Sequence, residues 1–330
     1  MGSPEWSGER SEPTKRQSVP DSLRHGFEFA LAHTALRTFG ALPRNWALRL
    51  GAGLGAFARS PLRVRLPVVE TQIAEAFPER DTAWVRDTAR ACYRHFGREA
   101  AEIVRLDLFG QQDLLDRIRG ADEAKAAFRS EEIRGLGAVI VTGHLGNWEA
   151  AGAAVSQLGM PLAAVVKRQS NARFDDLLVQ SRRRLGIEPI YMEEARARMP
   201  DLIRSGVSVA LVADQDARNR GIFVPFLGRP ASTFRGPARL ALDTGAPLFF
   251  GAAIREGEGY RAIVEPVRTA RGGPDAEREL TRGWVERLEY RIRLKPEQYF
   301  WFHRRWKTVP DVVDELPNRP TGTAETHERY

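Results

Sequence analysis

The chain has 330 residues, of which 42% are hydrophobic and 28% charged, a balance typical of folded globular proteins that excludes a largely disordered chain. Its length allows one large α/β domain or two smaller ones, and its single cysteine, Cys92, excludes a disulfide framework and fits a reducing compartment. The 50 Lys and Arg residues outnumber the 43 Asp and Glu residues, and the formal charge of +7 favours either an anionic partner or a solvated basic surface.

The first part of the chain, residues 21–130, is predicted to be a helical region that associates with a membrane. Residues 1–20 are polar and expected to be disordered. No stretch reaches the roughly 18 to 20 uninterrupted apolar residues of a transmembrane helix, and the nearest candidate, residues 27–42, contains Glu28, His33 and Arg37. Apolar side chains and arginines interleave here, which predicts an amphipathic helix suited to anionic headgroups. The alternative is a helical hairpin packed on the rest of the domain.

Two local patterns stand out in this region. Residues 81–106 have helical periodicity, with Asp81 and Thr82 as candidate caps. The sequence "GAGLGAF", which starts at Gly51, is superficially like a dinucleotide-binding loop. Because it follows a helical run and not a strand, we interpret its glycines as sites of helix packing.

Beyond residue 135 the chain alternates short apolar runs with helical patterns, which is typical of strands joined by crossover helices. Strands are predicted at residues 138–142, 162–166, 188–191, 207–212, 247–254 and 260–264. Helices are predicted at residues 171–185, 195–204, 236–244 and 275–294. The sequence therefore predicts an α/β core over residues 131–310, followed by a polar tail over residues 311–330.

A histidine follows the first predicted strand of this core, in "GAVIVTGHLGNWEAAGAA". In an open α/β sheet, the functional crevice lies beyond the carboxyl ends of the strands, and His144 is placed there. Asn147 can cap the next helix and put Glu149 in its first turn, where the helix dipole favours the ionised form. A carboxylate on one ring nitrogen leaves the other free to take a proton from a hydroxyl. The alternative is that His144 merely ends a strand and Glu149 is a solvated acid.

Other reaction chemistries are disfavoured by what the sequence lacks. No second His or Cys lies at zinc-ligand spacing from His144. Neither a G-x-S-x-G elbow nor a G-x-x-x-x-G-K-[ST] loop is present. We therefore expect no metal ion and no cofactor.

Three polar residues follow the fourth predicted strand, in "VSVALVADQDARNRGIFVPFLGRP". Asp214, Gln215 and Asp216 fall at the same sheet edge as His144, so at least one acid is expected to face the same crevice. The alternative is an ordinary polar turn. The following "GIFVPFLGRPAST" contains two prolines and is predicted to be an apolar loop that covers a site or meets lipid.

Taken together, three blocks resemble one family: "GHLGNWE", "ADQDARNRGIFVPFLGRPASTFRGPARLALDTGAP" and "PEQYFWFHRRWKT". They are similar to the late acyltransferases of lipid A biosynthesis, the lauroyl and myristoyl transferases of the lysophospholipid acyltransferase superfamily, and the similarity runs from about residue 37 to residue 310. The resemblance implies a glycerolipid acyltransferase-like α/β fold with a mixed central sheet flanked by helices. It also implies attachment to the cytoplasmic face of the inner membrane, either peripherally or through a single amino-terminal anchor.

The resemblance implies a set of site residues as well. His144 matches the catalytic histidine and Glu149 the acid of the H-x4-[DE] motif, while Arg182 and Asp214 match an arginine and an acid of the same site. We expect Glu149 to hold His144, and Asp214 to orient Arg182 or the acceptor. Substrate-binding residues are expected at the following positions: Asn147, Lys167, Gln215, Asp216, Arg304 and Arg305.

The implied reaction moves a fatty acyl chain from acyl carrier protein to a hydroxyl of a lipid A precursor, an anionic glycolipid. His144 acts as general base, and no acyl-enzyme forms. Arginine groups at residues 182–184, 218 with 220, and 304 with 305 suit an acidic carrier protein.

Two alternative functions stay open at this point. One is the same chemistry on another acceptor, such as a phosphatidylinositol mannoside or a glycerophospholipid. The other is a basic nucleic-acid-binding protein without enzymatic activity, which is disfavoured because no nucleic-acid-binding motif is present. We therefore expect a membrane surface and a carrier protein as partners, and no nucleic acid.

Overall fold

The computed structural model of the protein describes residues 21–106, 111–130, 135–269, 273 and 275–310. The predictions made for residues 1–20 and 311–330 lie outside the described residues. The amino-terminal part contains four helices: α1 (Asp21–Ala41), α2 (Arg44–Arg59), α3 (Leu66–Ala76) and α4 (Thr82–Arg105). Among the described residues, no helix combines the length and apolar character that crossing a membrane requires.

Helix α4 begins where the sequence predicts. Asp81 is its N-cap, and the Asp81 carboxylate accepts a hydrogen bond of 2.8 Å from the backbone N–H of Trp84. The helix packs against α2 through glycines, since a Cβ at Gly55 would come within 2.0 Å of the Tyr93 carbonyl oxygen. A Cβ at Gly51 would likewise meet the Gly97 carbonyl oxygen at 2.4 Å. The interpretation of "GAGLGAF" as helix packing is confirmed.

The rest of the described chain alternates strands and helices. The strands are β1 (Ile118–Arg119), β2 (Val139–Thr142), β3 (Leu162–Val166), β4 (Ile187–Tyr191), β5 (Ser208–Val212), β6 (Ile222–Phe226), β7 (Arg229–Thr233), β8 (Leu248–Glu256) and β9 (Gly259–Val267). The helices are α5 (Gln111–Asp116), α6 (Ala121–Ser130), α7 (Trp148–Gln157), α8 (Ala172–Arg184), α9 (Met192–Arg204), α10 (Gly236–Thr244) and α11 (Ala276–Leu294). Short 3₁₀ turns lie at Arg218–Arg220 and Pro296–Gln298.

Seven strands form one mixed sheet in the order β1-β9-β8-β2-β5-β3-β4. All neighbours are parallel except β8 and β9, which form an antiparallel hairpin. The mixed α/β fold and the six predicted strands are confirmed.

Three strands of the structure, β1, β6 and β7, were not predicted from the sequence. The strand β1 lies in the region predicted to be all-helical, and its two residues are too few to show alternation. The apolar stretch predicted as a loop is the hairpin β6–β7, in which Pro225 lies opposite Pro230. Proline cannot donate to a sheet ladder, but a two-stranded ribbon has outer edges where that loss costs little.

The central strands are buried on both faces, as parallel strands covered by helices must be. Val139 and Val141 of β2 belong to the core cluster that includes Trp284 and Leu288 of α11. The intervening Ile140 belongs to the cluster on the opposite face, which includes α7. Two helical layers therefore clamp the sheet and fix the positions of its strand ends.

We predict that Gly55→Ala destabilises the protein by about 1 to 3 kcal/mol, because the new methyl group would overlap the α4 backbone. Gly53→Ala is the matched control: it lies in the same helix with no atom within 4 Å of its Cβ position, and should raise stability by up to about 1 kcal/mol. Urea unfolding of the purified variants measures both. Equal effects of the two substitutions would contradict the close helix contact.

Candidate active site

Two neighbouring strands bring a histidine and a carboxylate together. In the parallel pair β2 and β5, Thr142 lies opposite Val212, so the residues that follow leave the sheet side by side. His144 Nδ1 lies 2.7 Å from Asp214 Oδ1, and the His144 backbone N–H donates to Asp214 Oδ2 at 2.8 Å. Asp214 is completely buried. The carboxylate therefore holds both the backbone and the ring of His144.

This geometry corrects the expected partner of His144, which is Asp214 and not Glu149. Asn147 caps α7 as predicted, with its Oδ1 accepting from the Ala150 N–H at 2.9 Å. The first turn of that helix directs the Glu149 carboxylate to Arg182 of α8 instead. Nearness in sequence was misleading because adjacent parallel strands join residues that are 70 positions apart.

The pair has charges that suit proton transfer. Burial alone would lower the pKa of His144, but the charge of Asp214 and the hydrogen bond to it outweigh burial, and the pKa lies above its ordinary value. Burial alone would raise the pKa of Asp214, yet His144 holds it well below the usual range. An ionised carboxylate can only accept, so Nδ1 carries a proton and Nε2 is left to act as base.

Glu149 and Arg182 form a second ion pair in the site. Arg182 Nε lies 3.1 Å from Glu149 Oε2, and Arg182 Nη2 lies 2.5 Å from Glu149 Oε1. The expectation that Asp214 orients Arg182 is therefore wrong, since Glu149 fills that role. The neighbouring Arg183 pairs with Glu188 at an exposed position, with 3.5 Å between Nε and Oε2.

A cavity of about 420 Å³ runs along the face of the sheet beneath α7. Its polar lining includes five residues that follow strand ends or lie on helices: His144, Glu149, Lys167, Arg182 and Gln215. Its remaining lining is largely apolar and comes from the strand interiors and α7: Ile140, Val155, Leu162, Ala164, Ala210, Val212 and Ile263. The site thus joins a carboxylate-held histidine to an apolar space.

The other predicted substrate-binding residues do not line this cavity. Asn147 is fully buried and donates from Nδ2 to Glu99 and Tyr260. Asp216 accepts from the backbone N–H and the hydroxyl of Thr308, at 2.9 and 2.7 Å. The structure therefore corrects the prediction that these two residues bind substrate, because their polar groups hold loops in place.

The two carboxy-terminal arginines also differ from the prediction. Arg305 is 1% exposed and donates to the Ser232 carbonyl and the Thr233 hydroxyl, at 2.7 and 2.6 Å. Arg305 thus holds the carboxy-terminal segment on the β6–β7 hairpin. This burial corrects the prediction that Arg305 binds substrate. Arg304 is exposed but does not line the cavity.

Aromatic residues that were not singled out surround His144. The Phe300 N–H donates to the His144 carbonyl at 2.9 Å, and Trp148 meets the His144 ring edge-on at 5.0 Å. The Tyr299 hydroxyl lies 3.4 Å from His303 Nε2, and burial and the negative charge of Asp214 raise the pKa of the phenol. Burial lowers the pKa of His303 to about 4, which keeps it neutral. The aromatic-rich "PEQYFWFHRRWKT" was the signal that marked this segment.

This arrangement defines a class of protein, in which a carboxylate-held histidine opens on an apolar cavity. The model of the family described as bacterial lipid A biosynthesis acyltransferase matches residues 18–308. The chain belongs to that family, and it is an enzyme that transfers acyl groups.

Curated relatives fall into two groups. A phosphatidylinositol mannoside acyltransferase of Mycobacterium tuberculosis (strain ATCC 25618 / H37Rv) is 29% identical over 224 residues, which cover 66% of this chain and 69% of the relative. A lipid A biosynthesis lauroyltransferase of Escherichia coli (strain K12) is 27% identical over 281 residues, covering 82% and 89%. A lipid A biosynthesis palmitoleoyltransferase of the same strain is 25% identical over 268 residues, covering 79% and 85%.

We predict that Asp214→Asn lowers kcat/KM for acyl transfer by about 10² to 10⁴-fold. The same change should move the rising limb of the pH profile to lower pH. The sign follows because Asp214 raises the pKa of His144, and burial alone would lower it. Asp243→Asn, an exposed acid on α10, is the control and should change neither. An unmoved limb in Asp214→Asn would contradict the assignment of His144 as base.

We also predict that Glu149 and Arg182 act as a unit, because removing either leaves a largely buried charge unpaired. A double-mutant cycle of Glu149→Gln with Arg182→Gln should give a coupling of about 0.5 to 3 kcal/mol in kcat/KM. The cycle of Glu149→Gln with Arg183→Gln is the matched control and should be additive. Coupling of equal size in both cycles would refute the specific pair.

Proposed function

We propose that this enzyme moves a fatty acyl chain from acyl carrier protein to a hydroxyl of a lipid A precursor. The observation that carries the proposal is the position of the His144–Asp214 pair at an apolar cavity of about 420 Å³. Such a volume lies in the range of small-molecule sites, and its apolar lining suits a hydrocarbon chain. The lipid A transferases of Escherichia coli support this acceptor because they align with about four-fifths of the chain.

In the proposed mechanism, His144 Nε2 removes the proton from the acceptor hydroxyl. The hydroxyl oxygen attacks the thioester carbonyl, a C–O bond forms, and the carbonyl oxygen becomes negatively charged. When the C–S bond breaks, the imidazolium returns its proton to the departing thiolate, so atoms and charges balance without an acyl-enzyme. Asp214 stabilises the imidazolium, and Arg182, held by Glu149, is placed to neutralise the oxyanion or a substrate phosphate.

A second candidate acceptor is a phosphatidylinositol mannoside. The observation that favours it is the 29% identity to the mycobacterial phosphatidylinositol mannoside acyltransferase. Both acceptors are anionic glycolipids with free hydroxyls, so the same base and the same cavity would serve either reaction.

Acyl carrier protein is proposed as the donor on the basis of charge. Exposed arginines at Arg183, Arg218 and Arg220 offer positive charge to an acidic partner. Arg305 no longer belongs to this set, since it is buried.

The function is tested by mass spectrometry of the products that the purified enzyme makes. Donors are acyl carrier protein and coenzyme A thioesters of matched chain length, and acceptors are a lipid A precursor, a phosphatidylinositol mannoside and a lysophospholipid. We expect an acylated lipid A precursor from the carrier-protein donor, and none with His144→Ala. A product only on the mannoside would favour the second acceptor, and equal kcat/KM for both donors at low salt would refute the carrier-protein donor.

The amino-terminal helices are proposed to attach the enzyme to the cytoplasmic face of the inner membrane. Four apolar residues form an exposed stripe along α2: Trp46, Leu50, Leu54 and Phe57, with 62%, 41%, 51% and 52% of their surface exposed. Their spacing places them on one helix face. The Arg49 guanidinium lies 5.8 Å from the Trp46 ring, as suits a helix in the plane of anionic headgroups.

We predict that Leu50→Ser with Phe57→Ser abolishes most binding to vesicles that contain anionic phospholipid, measured by flotation. The reason is the loss of buried apolar area, at about 25 cal/mol per Å². Leu242→Ser, an exposed apolar residue on α10, is the control and should leave binding unchanged. High salt should release part of the parent protein. Unchanged binding of the double variant would show that α2 is not the attachment surface.

A further inference from the structure

A second recess lies apart from the His144 cavity and shares none of its lining residues. It has a volume of about 510 Å³ and is bounded by α4, the β8–β9 turn and the segment after α11. Arg90, Arg94 and Arg98 of α4 line it at four-residue spacing, so they project from one face of the helix. Lys295 adds a fourth cation from the segment after α11. These residues define what we call the basic groove.

The basic groove contains buried polar atoms with no partner. Arg255 and His95 line it and are only 5% and 7% exposed. Arg255 Nε and Nη2 bond to a buried network that includes Glu99, whereas Nη1 has no hydrogen-bond partner among the described residues. His95 Nε2 is likewise unpaired within the described part of the chain. Of these two atoms, Arg255 Nη1 is a donor, and a buried guanidinium N–H without an acceptor is destabilising unless an acceptor approaches it.

The charged residues that line the basic groove indicate that a ligand bound there would be negatively charged. Its acidic lining residues are Asp87 and Glu297, and the Asp87 carboxylate is engaged by Arg90 at 2.9 Å. Within the part of the chain that the structure describes, Arg94, Arg98 and Lys295 have no ion pair within 4.0 Å. The groove is therefore a concave surface with excess positive charge above a buried guanidinium donor.

We infer that the basic groove binds a phosphate group. A phosphate has several acceptor oxygens on one small centre, so it can accept from two or more of the lining arginines at once and bring negative charge close to the recessed Arg255. A carboxylate presented by a protein surface would contact the outer arginines but would not enter the recess. A lipid headgroup and a free phosphate compound share this chemistry. The inference does not depend on the proposed acyl transfer, because no residue of the His144 site takes part.

Calorimetric titration of the full chain tests the site with two probes, inorganic pyrophosphate and dihexanoyl phosphatidic acid below its micellar concentration. We expect Arg94→Ala with Arg98→Ala to weaken binding at least about tenfold, since the change removes two cationic donors of charge-assisted hydrogen bonds. Arg196→Ala with Arg239→Ala removes the same charge from exposed positions on α9 and α10. The affinity of this control variant for both probes should lie within about twofold of the affinity of the parent protein.

Nuclear magnetic resonance of the histidine rings provides a readout from the floor of the groove. The His95 resonance is identified by its absence in His95→Gln. Pyrophosphate should shift this resonance in the parent and in the Arg196 and Arg239 control. The shift should be absent in the Arg94 and Arg98 variant at the same concentration.

The outcomes distinguish a lipid headgroup from a free phosphate compound, and both of these from a protein-docking surface. Tighter binding of phosphatidic acid than of pyrophosphate would support a lipid headgroup as the phosphate source, and equal binding would support a free phosphate compound. Equal affinity of the parent and the Arg94 and Arg98 variant for both probes would overturn the proposal, as would an unmoved His95 resonance. A variant that loses affinity for acyl carrier protein but not for phosphate would also overturn it and identify a protein-docking surface.

Discussion

The hydrogen bonds from His144 to the buried Asp214 carboxylate are the contacts on which the site depends. A carboxylate without solvent is stable in its charged form only if it is paired, and here one residue supplies both a backbone N–H and a ring N–H. From the carboxy-terminal aromatic segment, the Phe300 N–H donates to the His144 carbonyl and holds the same loop. The charge that raises the basicity of the histidine is thus the same charge that fixes its position.

A second buried network supports the start of α7 from behind. Asn147 caps the helix with its oxygen and donates from its nitrogen to Glu99, which also binds Arg255 and Tyr260. Arg44, at the start of α2, bonds to Glu102 of the same cluster at 3.0 Å. The proposed membrane-facing helix is therefore joined through ionic contacts to the loop that carries His144. Because replacing one member would leave a buried charge unpaired, the network ties these elements together.

The two acids near the cavity have different partners, and the partners set what each acid does. Asp214 faces an imidazole and raises the pKa of that ring. Glu149 instead faces the Arg182 guanidinium and holds this positive group in a fixed position in the site. One acid tunes a proton acceptor, and the other orients a permanent cation. The largely apolar lining beneath α7 lowers the polarity around both pairs, which strengthens their interactions.

The sequence by itself determined most of the elements and the position of the site. Short apolar runs marked six strands, Asp81 and Asn147 marked helix starts, and His144 at a strand end marked the site, because these signals depend only on neighbours along the chain. Which acid pairs with which base was decided by the order of the strands, since β2 and β5 meet only in the folded sheet. The same holds for Arg305, whose burial depends on the distant β6–β7 hairpin. Pairings across many residues have no local signal, and only the tertiary structure fixes them.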